Sequence, residues 1–203
     1  MSLNDVIIQV VQYTNPYDIK NAFFVDKDAY ANTKDGRKYK YSYYPNGQLK
    51  EKTQYTVKEC KIMKIGRSTI YHENGKLYME TNYKNGNKHG TSRKWNNQGI
   101  LIKETSFVED KLHGPFRKRQ NDGVLYSEGT HENELLHGIN TLYYPNGNRC
   151  SEIPWENGII NGLYRCFYAN GQLSDEFMVV EHKAKGLYRR WDMSGNLIDE
   201  GID

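Results

Sequence analysis

Three histidines, His89, His113 and His137, lie 24 residues apart, each directly before a glycine. Six glutamates keep the same interval: Glu80, Glu104, Glu128, Glu152, Glu176 and Glu200. Imidazoles in a row suggest zinc ligation, and carboxylates in a row suggest paired acid and base catalysis. The spacing itself argues against both. Equivalent positions in successive hairpins are two strands apart, roughly 10 Å. Ligands of one zinc must all lie within about 2.1 Å of it. Working carboxylate pairs sit about 5 to 9.5 Å apart. The histidines are therefore expected to close a turn ahead of a glycine of special conformation, and the glutamates to fix register through cross-strand bonds. No P-loop, no kinase lysine with Asp-Phe-Gly and no Gly-x-Ser-x-Gly elbow is present. The expectation is a non-enzymatic chain with no catalytic residue, no metal and no cofactor.

The elements that position these residues are set by glycine. Gly47, Gly75, Gly99, Gly123, Gly147, Gly171 and Gly195 follow at one interval of 28 and five of 24 residues. Gly66, Gly90, Gly114, Gly138, Gly162 and Gly186 precede them by nine. A fixed period with two glycine turns per unit is the mark of a repeat array. Asn-Gly and Asp-Gly between alternating stretches signal hairpins. Each unit reads as strand, tight turn, strand, looser turn. The chain is thus expected to be all-β, an elongated single-sheet antiparallel meander of hairpin repeats, its stack roughly 60 to 70 Å long at two strand spacings per unit.

Pro45 and Pro145 favour a three-residue Pro-Asn-Gly loop. The residue four before each glycine then faces the residue two after it. Tyr43, Tyr71, Trp95, Tyr143, Phe167 and Trp191 fill the first set; Leu49, Leu77, Leu101, Leu125, Leu173 and Leu197 dominate the second. These pairs are the expected seam of one buried face. Arg119 and Arg149 interrupt it. The glutamates are expected on the opposite face. A row of arginines, Arg93, Arg117, Arg165 and Arg189, would pair directly with glutamates if the register shifted by one.

Residues 1–36 lack the glycine comb and read as a capping strand, around Val6–Val11, plus a degenerate first unit; residues 37–203 are the array of about seven hairpins. The four extra residues of the first interval fall between Tyr55 and Ile65, where a longer loop is expected. The expected compartment is the cytoplasm; Met1-Ser2-Leu3 looks like an added leader, which leaves export or the periplasm open if a signal peptide was removed. The net charge is +3 with acids and bases interspersed, and no long basic run argues for nucleic acid. Cys150 and Cys166 are centred on the turn Glu156-Asn157-Gly158, which allows a cross-strand disulfide or two half-buried free thiols.

Tyr43-Tyr-Pro-Asn-Gly-Gln-Leu49, Tyr143-Tyr-Pro-Asn-Gly147 and Tyr83-Lys-Asn-Gly-Asn-Lys-His-Gly90 resemble the bacterial variant of the MORN repeat, across residues 37–203. Within that variant the chain is similar to the YwqK-like antitoxin or immunity family. The resemblance implies a module that neutralises a partner toxin by binding it. MORN repeats are also proposed to attach to anionic phospholipid. They occur beside lipid kinase domains, so a phosphatidylinositol-4-phosphate 5-kinase-like name can travel with the repeats without kinase activity. Arg119, Arg149 and Gln98 depart from the pattern.

A single sheet cannot bury aromatics on both sides, and Tyr and Arg dominate protein interfaces. The expected contact residues for a protein partner, such as a toxin, are Tyr126, Tyr164, Tyr188, Arg190 and Lys118 on the less apolar face. The alternative phospholipid contacts are Arg93, Arg117, Arg165 and Arg189.

Overall fold

The structure, a computed structural model, describes residues 28–32, 37–59 and 61–202. All regular elements among them are strands, and no helix is long and apolar enough to cross a membrane. The expected all-β antiparallel meander is what forms. The chain divides into two units, residues 1–99 with 108–110, and 100–107 with 111–203. The first carries β1 (Asp28–Asn32), β2 (Lys38–Tyr43), β3 (Leu49–Lys58), β4 (Lys61–Tyr71), β5 (Leu77–Lys84) and β6 (Asn87–Trp95). The second carries β7 (Leu101–Val108, save its last residue), β8 (Lys111–Arg119), β9 (Leu125–Glu132), β10 (Leu135–Tyr143) and β11 (Arg149–Glu156). It continues through the two-residue β12 (Ile159–Ile160), β13 (Gly162–Phe167), β14 (Leu173–Val180), β15 (Lys183–Trp191) and β16 (Leu197–Ile202). Strand order in each unit is chain order, with β12 paired to β11 beside that path. The capping strand around Val6–Val11 lies outside the described residues; of the first 36 residues only β1 falls within them.

The Pro-Asn-Gly turn closes as its residues dictate. Gly47 N–H donates to the Tyr44 carbonyl at 2.9 Å and Tyr44 N–H to the Gln48 carbonyl at 2.8 Å. Gly47 sits at φ +81°, in the left-handed region that a Cβ disfavours. The asparagine works in two directions. Asn46 Oδ1 accepts the Gln48 N–H at 3.0 Å within its own turn. Asn74 Nδ2 donates to the Asn97 carbonyl of the next turn at 2.8 Å, and Asn146 to that of Ala169 at 2.6 Å. The second tyrosine of the motif also binds forward: Tyr44 Oη reaches the Tyr71 carbonyl at 2.6 Å, Tyr144 that of Phe167 at 2.8 Å and Tyr168 that of Trp191 at 2.9 Å. Within each unit the motif therefore bolts one repeat to the next.

The expected seam pairs are present: Tyr43 opposite Leu49, Tyr71 opposite Leu77, Tyr143 opposite Arg149, Phe167 opposite Leu173 and Trp191 opposite Leu197. One residue further out the register shifts, so that Ser42 faces Glu51 and Arg165 faces Glu176. A bulge after each leucine inserts one extra residue and re-aims the rest of the strand. Both registers foreseen from the sequence thus occur in the same hairpin, the three-residue one near the turn and the shifted one beyond it.

The other turn is tighter than expected. Asn85 and Gly86 (φ 53° and 91°), and Asn157 and Gly158 (51° and 82°), form two-residue hairpin turns of the type I′ kind, which needs positive φ at both positions. Glu181 and His182 adopt the same conformation at 50° and 68° without a glycine. The comb glycines directly after the histidines lie inside strands, where pairing shifts again, as between Thr81 and Tyr83. The four extra residues between Gly47 and Gly75 make no longer loop. They lengthen β3 and β4, which pair through Val57–Ile62 to Lys58–Lys61. The following turn meets this hairpin at Lys64, where Gly86 N–H donates to its carbonyl. Elsewhere the corresponding bond falls two residues nearer the preceding turn, as from Asp110 N–H to Lys88. The hairpin tip therefore overshoots the turn row by two residue pairs, about 7 Å.

Extensive contacts join only hydrogen-bonded neighbours, so among the described residues each unit is a single layer. Among the described residues no large side chain falls below 2% exposure. The best-covered positions are mostly small and polar: Thr53, Ser68, Thr81, Ser127 and Ser151, with Phe116 and Val179 the most enclosed apolar ones. The seam aromatics Trp95, Tyr143, Phe167 and Trp191 are half-exposed rather than core.

Candidate functional site

One face carries the aromatic seam together with the glutamates, which corrects the expected opposite-face placement. The bulge is the physical cause: one inserted residue turns the glutamate back to the seam side. Tyr143 Oη donates to Glu128 Oε1 at 2.6 Å, and Arg119, standing at a seam position, donates to Glu104 at 3.0 Å. Arg117 bonds Glu128 at 2.9 Å. Arg165 lies between Glu152 at 3.5 Å and Glu176 at 3.1 Å, and Arg189 between Glu176 and Glu200, both at 3.4 Å. Arg93 and Arg67 both reach Glu80. Arg149 bonds Glu152 and lays its guanidinium over Phe167, 5.2 Å from the ring centre. Burial and then the Glu128 bond push the Tyr143 phenol up to about 12. Bonds from Tyr143 and then Arg117 hold Glu128 below the ordinary carboxylate range. The arginine row is a charge-compensated ladder.

The other face differs between the units. Residues directly opposite one another share a face, and in the first unit they pair hydroxyls: Thr53 with Ser68 at 2.6 Å, and Thr81 with Ser92 at 2.8 Å. In the second unit the same row passes from the buried Thr105 to Phe116, opposite Gly129. Its ring fills the space a side chain at 129 would take, 3.0 Å from where a Cβ would stand. The row ends with Tyr164 opposite Phe177, Phe177 opposite Tyr188 and Tyr188 opposite Gly201. Tyr164 and Phe177 stack at 5.0 Å and 10°. Beside them Arg190 bonds Asp175 at 3.2 Å, reaches Asp199 at 3.9 Å and lies 5.9 Å from the Tyr188 ring centre. A depression of about 400 Å³ opens here, lined by Asp175, Phe177, Ala184, Tyr188, Arg189 and Arg190.

Of the residues expected from sequence, Tyr164, Tyr188 and Arg190 are brought together in this cluster. Lys118 stands elsewhere in the unit, its ammonium 5.2 Å from the Phe116 ring centre, and pairs with Ser127 beside the exposed Tyr126. Phe177, Asp175 and Asp199 were not singled out. Phe177 was readable: its repeat equivalents are Thr53, Thr81, Thr105, Gly129, Ile153 and Gly201, and it alone among them is aromatic.

Cys150 and Cys166 are free thiols. Ser151, not Cys150, stands opposite Cys166. Burial, then Asp175 and Cys150, push the Cys166 thiol up. His89, His113 and His137 sit on β6, β8 and β10, and among the described residues no three His, Cys, Asp or Glu side chains gather as a metal site. His131 packs on Phe116 at 4.7 Å; burial, then Lys118 and Lys103, lower its pKa.

Four stretches of the chain, residues 40–56, 64–85, 136–157 and 160–178, match the family described as MORN repeat variant. No curated protein matches the chain in sequence. Among solved structures, a porin-like protein from Bacteroides uniformis ATCC 8492 aligns at 12% identity over 89% of this chain and 94% of its own. Its TM-score of 0.22 is too low to inform fold or function. Repeats of the MORN variant, set in sheets that expose both faces, indicate a repeat-based binding module.

Proposed function

We propose that the chain is a non-enzymatic protein-binding module that docks its partner on the second unit, over Tyr164, Phe177, Tyr188 and Arg190. The observation that carries this reading is the uncovered aromatic row with a charged flank. Tyrosine loses little conformational freedom when it docks, and tyrosine and arginine both concentrate binding energy at interfaces. The resemblance to antitoxin and immunity proteins supports a toxin as the partner, held by occlusion. The two unbonded cysteines suit a reducing cytoplasm. The phospholipid alternative has less support, because Arg93, Arg117, Arg165 and Arg189 all bond glutamates. The test is affinity capture from native lysate with wild type and a Tyr164→Ala/Tyr188→Ala variant. One stoichiometric protein held by wild type and lost by the variant is the expected result. A partner retained equally by both would refute the assigned face, and no partner with either would refute the binding reading.

A further inference from the structure

The net charge of +3 conceals a division along the chain. Residues 37–99 hold fourteen lysines and arginines against four glutamates, a formal +10. Residues 100–203 hold eleven against sixteen acids, a formal −5. The basic stretch also holds eight of the seventeen tyrosines. Lysines and tyrosines interleave on its strands. Lys52 Nζ stands 4.6 Å from the Tyr39 ring centre and 5.8 Å from that of Tyr41. Lys64 covers Tyr83 at 5.2 Å, Lys94 covers Tyr78 at 5.1 Å and Lys50 covers Tyr44 at 5.7 Å.

We infer that the first unit binds single-stranded nucleic acid, without sequence preference, on the face of β2 and β3 that carries Tyr39 and Lys52, with Tyr39 the accessible ring and Tyr41, 7% exposed, backing it. The chemistry needs two parts: cations that follow a phosphate backbone, and aromatic rings on which bases stack. Both are present on the same strands. Where the ring is accessible, as at Tyr39, the ammonium lying on it marks a place where a base takes the ring and the ammonium moves to a phosphate. Tyr39, Tyr41 and Tyr43 alternate along β2 and so share one face. The aromatic rings favour a single strand over a duplex, whose stacked bases leave no face to meet them. They also favour it over a membrane. On β2 to β6 the exposed large aliphatic side chains are Val57 and Ile62, at the overshooting hairpin tip beside Lys58 and Lys61. A vesicle would be gripped at that tip and a nucleic acid at the tyrosine face. The whole-chain charge averages two opposite stretches and hides the basic one, whose cations are spread among tyrosines rather than set in one run.

The test is fluorescence anisotropy of the full chain with labelled oligo-dT and oligo-rU of about 20 nucleotides, longer than one ordinary single-strand site. Vesicles of phosphatidylcholine with and without phosphatidylserine run beside them. Wild type is expected to bind both oligonucleotides, with log affinity falling against log salt by about 0.7 for each phosphate neutralised. Lys52→Glu, on the tyrosine face opposite Tyr41, should weaken binding tenfold or more. Tyr39→Ala, which keeps the charge, should weaken it about fivefold or more, the loss of one stacked base. Lys58→Glu/Lys61→Glu at the tip and Lys183→Glu/Lys185→Glu in the second unit should stay within about twofold. Circular dichroism confirms that each variant is folded. No binding at low salt would overturn the inference. So would vesicle binding abolished by the tip variant with no oligonucleotide binding, or equal losses in face and second-unit variants.

Discussion

The two units follow one hairpin recipe and part company on a single row. In the first unit that row pairs Thr53 with Ser68 and Thr81 with Ser92, short hydroxyls that bond across strands. In the second it sets Phe116 on Gly129 and runs Tyr164, Phe177 and Tyr188 out to Gly201. The glycine-closed three-residue turns, the bulges and the inter-repeat bolts recur in both. The array thus holds its backbone with the turn motif and leaves this row free, for cohesion in one place and for adhesion in another. Charge follows the same divide: the hydroxyl-paired unit is basic and the aromatic unit acidic.

The largest expected effect breaks or confirms that comparison directly. Among the described residues Phe116 is the most enclosed large side chain, 3% exposed, and Phe116→Ala should cost about 3 kcal/mol in denaturant unfolding. Ser92→Ala, at the equivalent row position in the first unit, removes one hydroxyl bond and should cost about 1 kcal/mol. Equal costs would mean that the row does not distinguish the units.

Next comes the polar repeat on the seam face. Tyr143→Phe removes the bond to Glu128 and should cost about 1 kcal/mol at neutral pH. The folded state favours the neutral Tyr143 phenol. Its contribution is complete below the ordinary phenol value near 10 and is lost as pH rises through about 12. Glu128 works at the other end: its contribution is present above the ordinary carboxylate value and is lost as pH falls through its own lower one. The variant should therefore show a smaller alkaline loss between about pH 10 and 12 than wild type. An identical alkaline limb in thermal melts would remove Tyr143 from the account.

The smallest effect is a gain. His182 holds φ 68° in a turn position that glycine fills at 86 and 158. His182→Gly should stabilise by about 0.5 to 1 kcal/mol, because the strain of a side chain in the left-handed region disappears. A loss instead would show that the His182 ring, 6.3 Å from Trp155, contributes more than its backbone costs.

Much of this was legible in the residues. Pro45-Asn46-Gly47 specifies its own loop, and the loop specifies Tyr43 against Leu49. The bulge after the leucine was not legible, because the inserted residue is Lys50, Tyr78, Tyr126, Cys150, Ser174 or Ile198, with no shared chemistry. That single residue moved every glutamate to the other face. The tight second turn was obscured where Glu181-His182 replaces Asn-Gly. Tyr164 and Tyr188 were found by parity, since the bulge lies after their hairpin's turn and not before it. Phe177 was missed because it lies beyond the bulge, where parity fails.

The central claim is that the aromatic row of the second unit is the docking face. Hydrogen–deuterium exchange of the chain, alone and bound to its captured partner, tests it most directly. The account predicts new protection over residues 162–191, on β13, β14 and β15, with β2 to β6 unchanged. Protection confined to β2 through β6, or to the Pro-Asn-Gly turns, would contradict it.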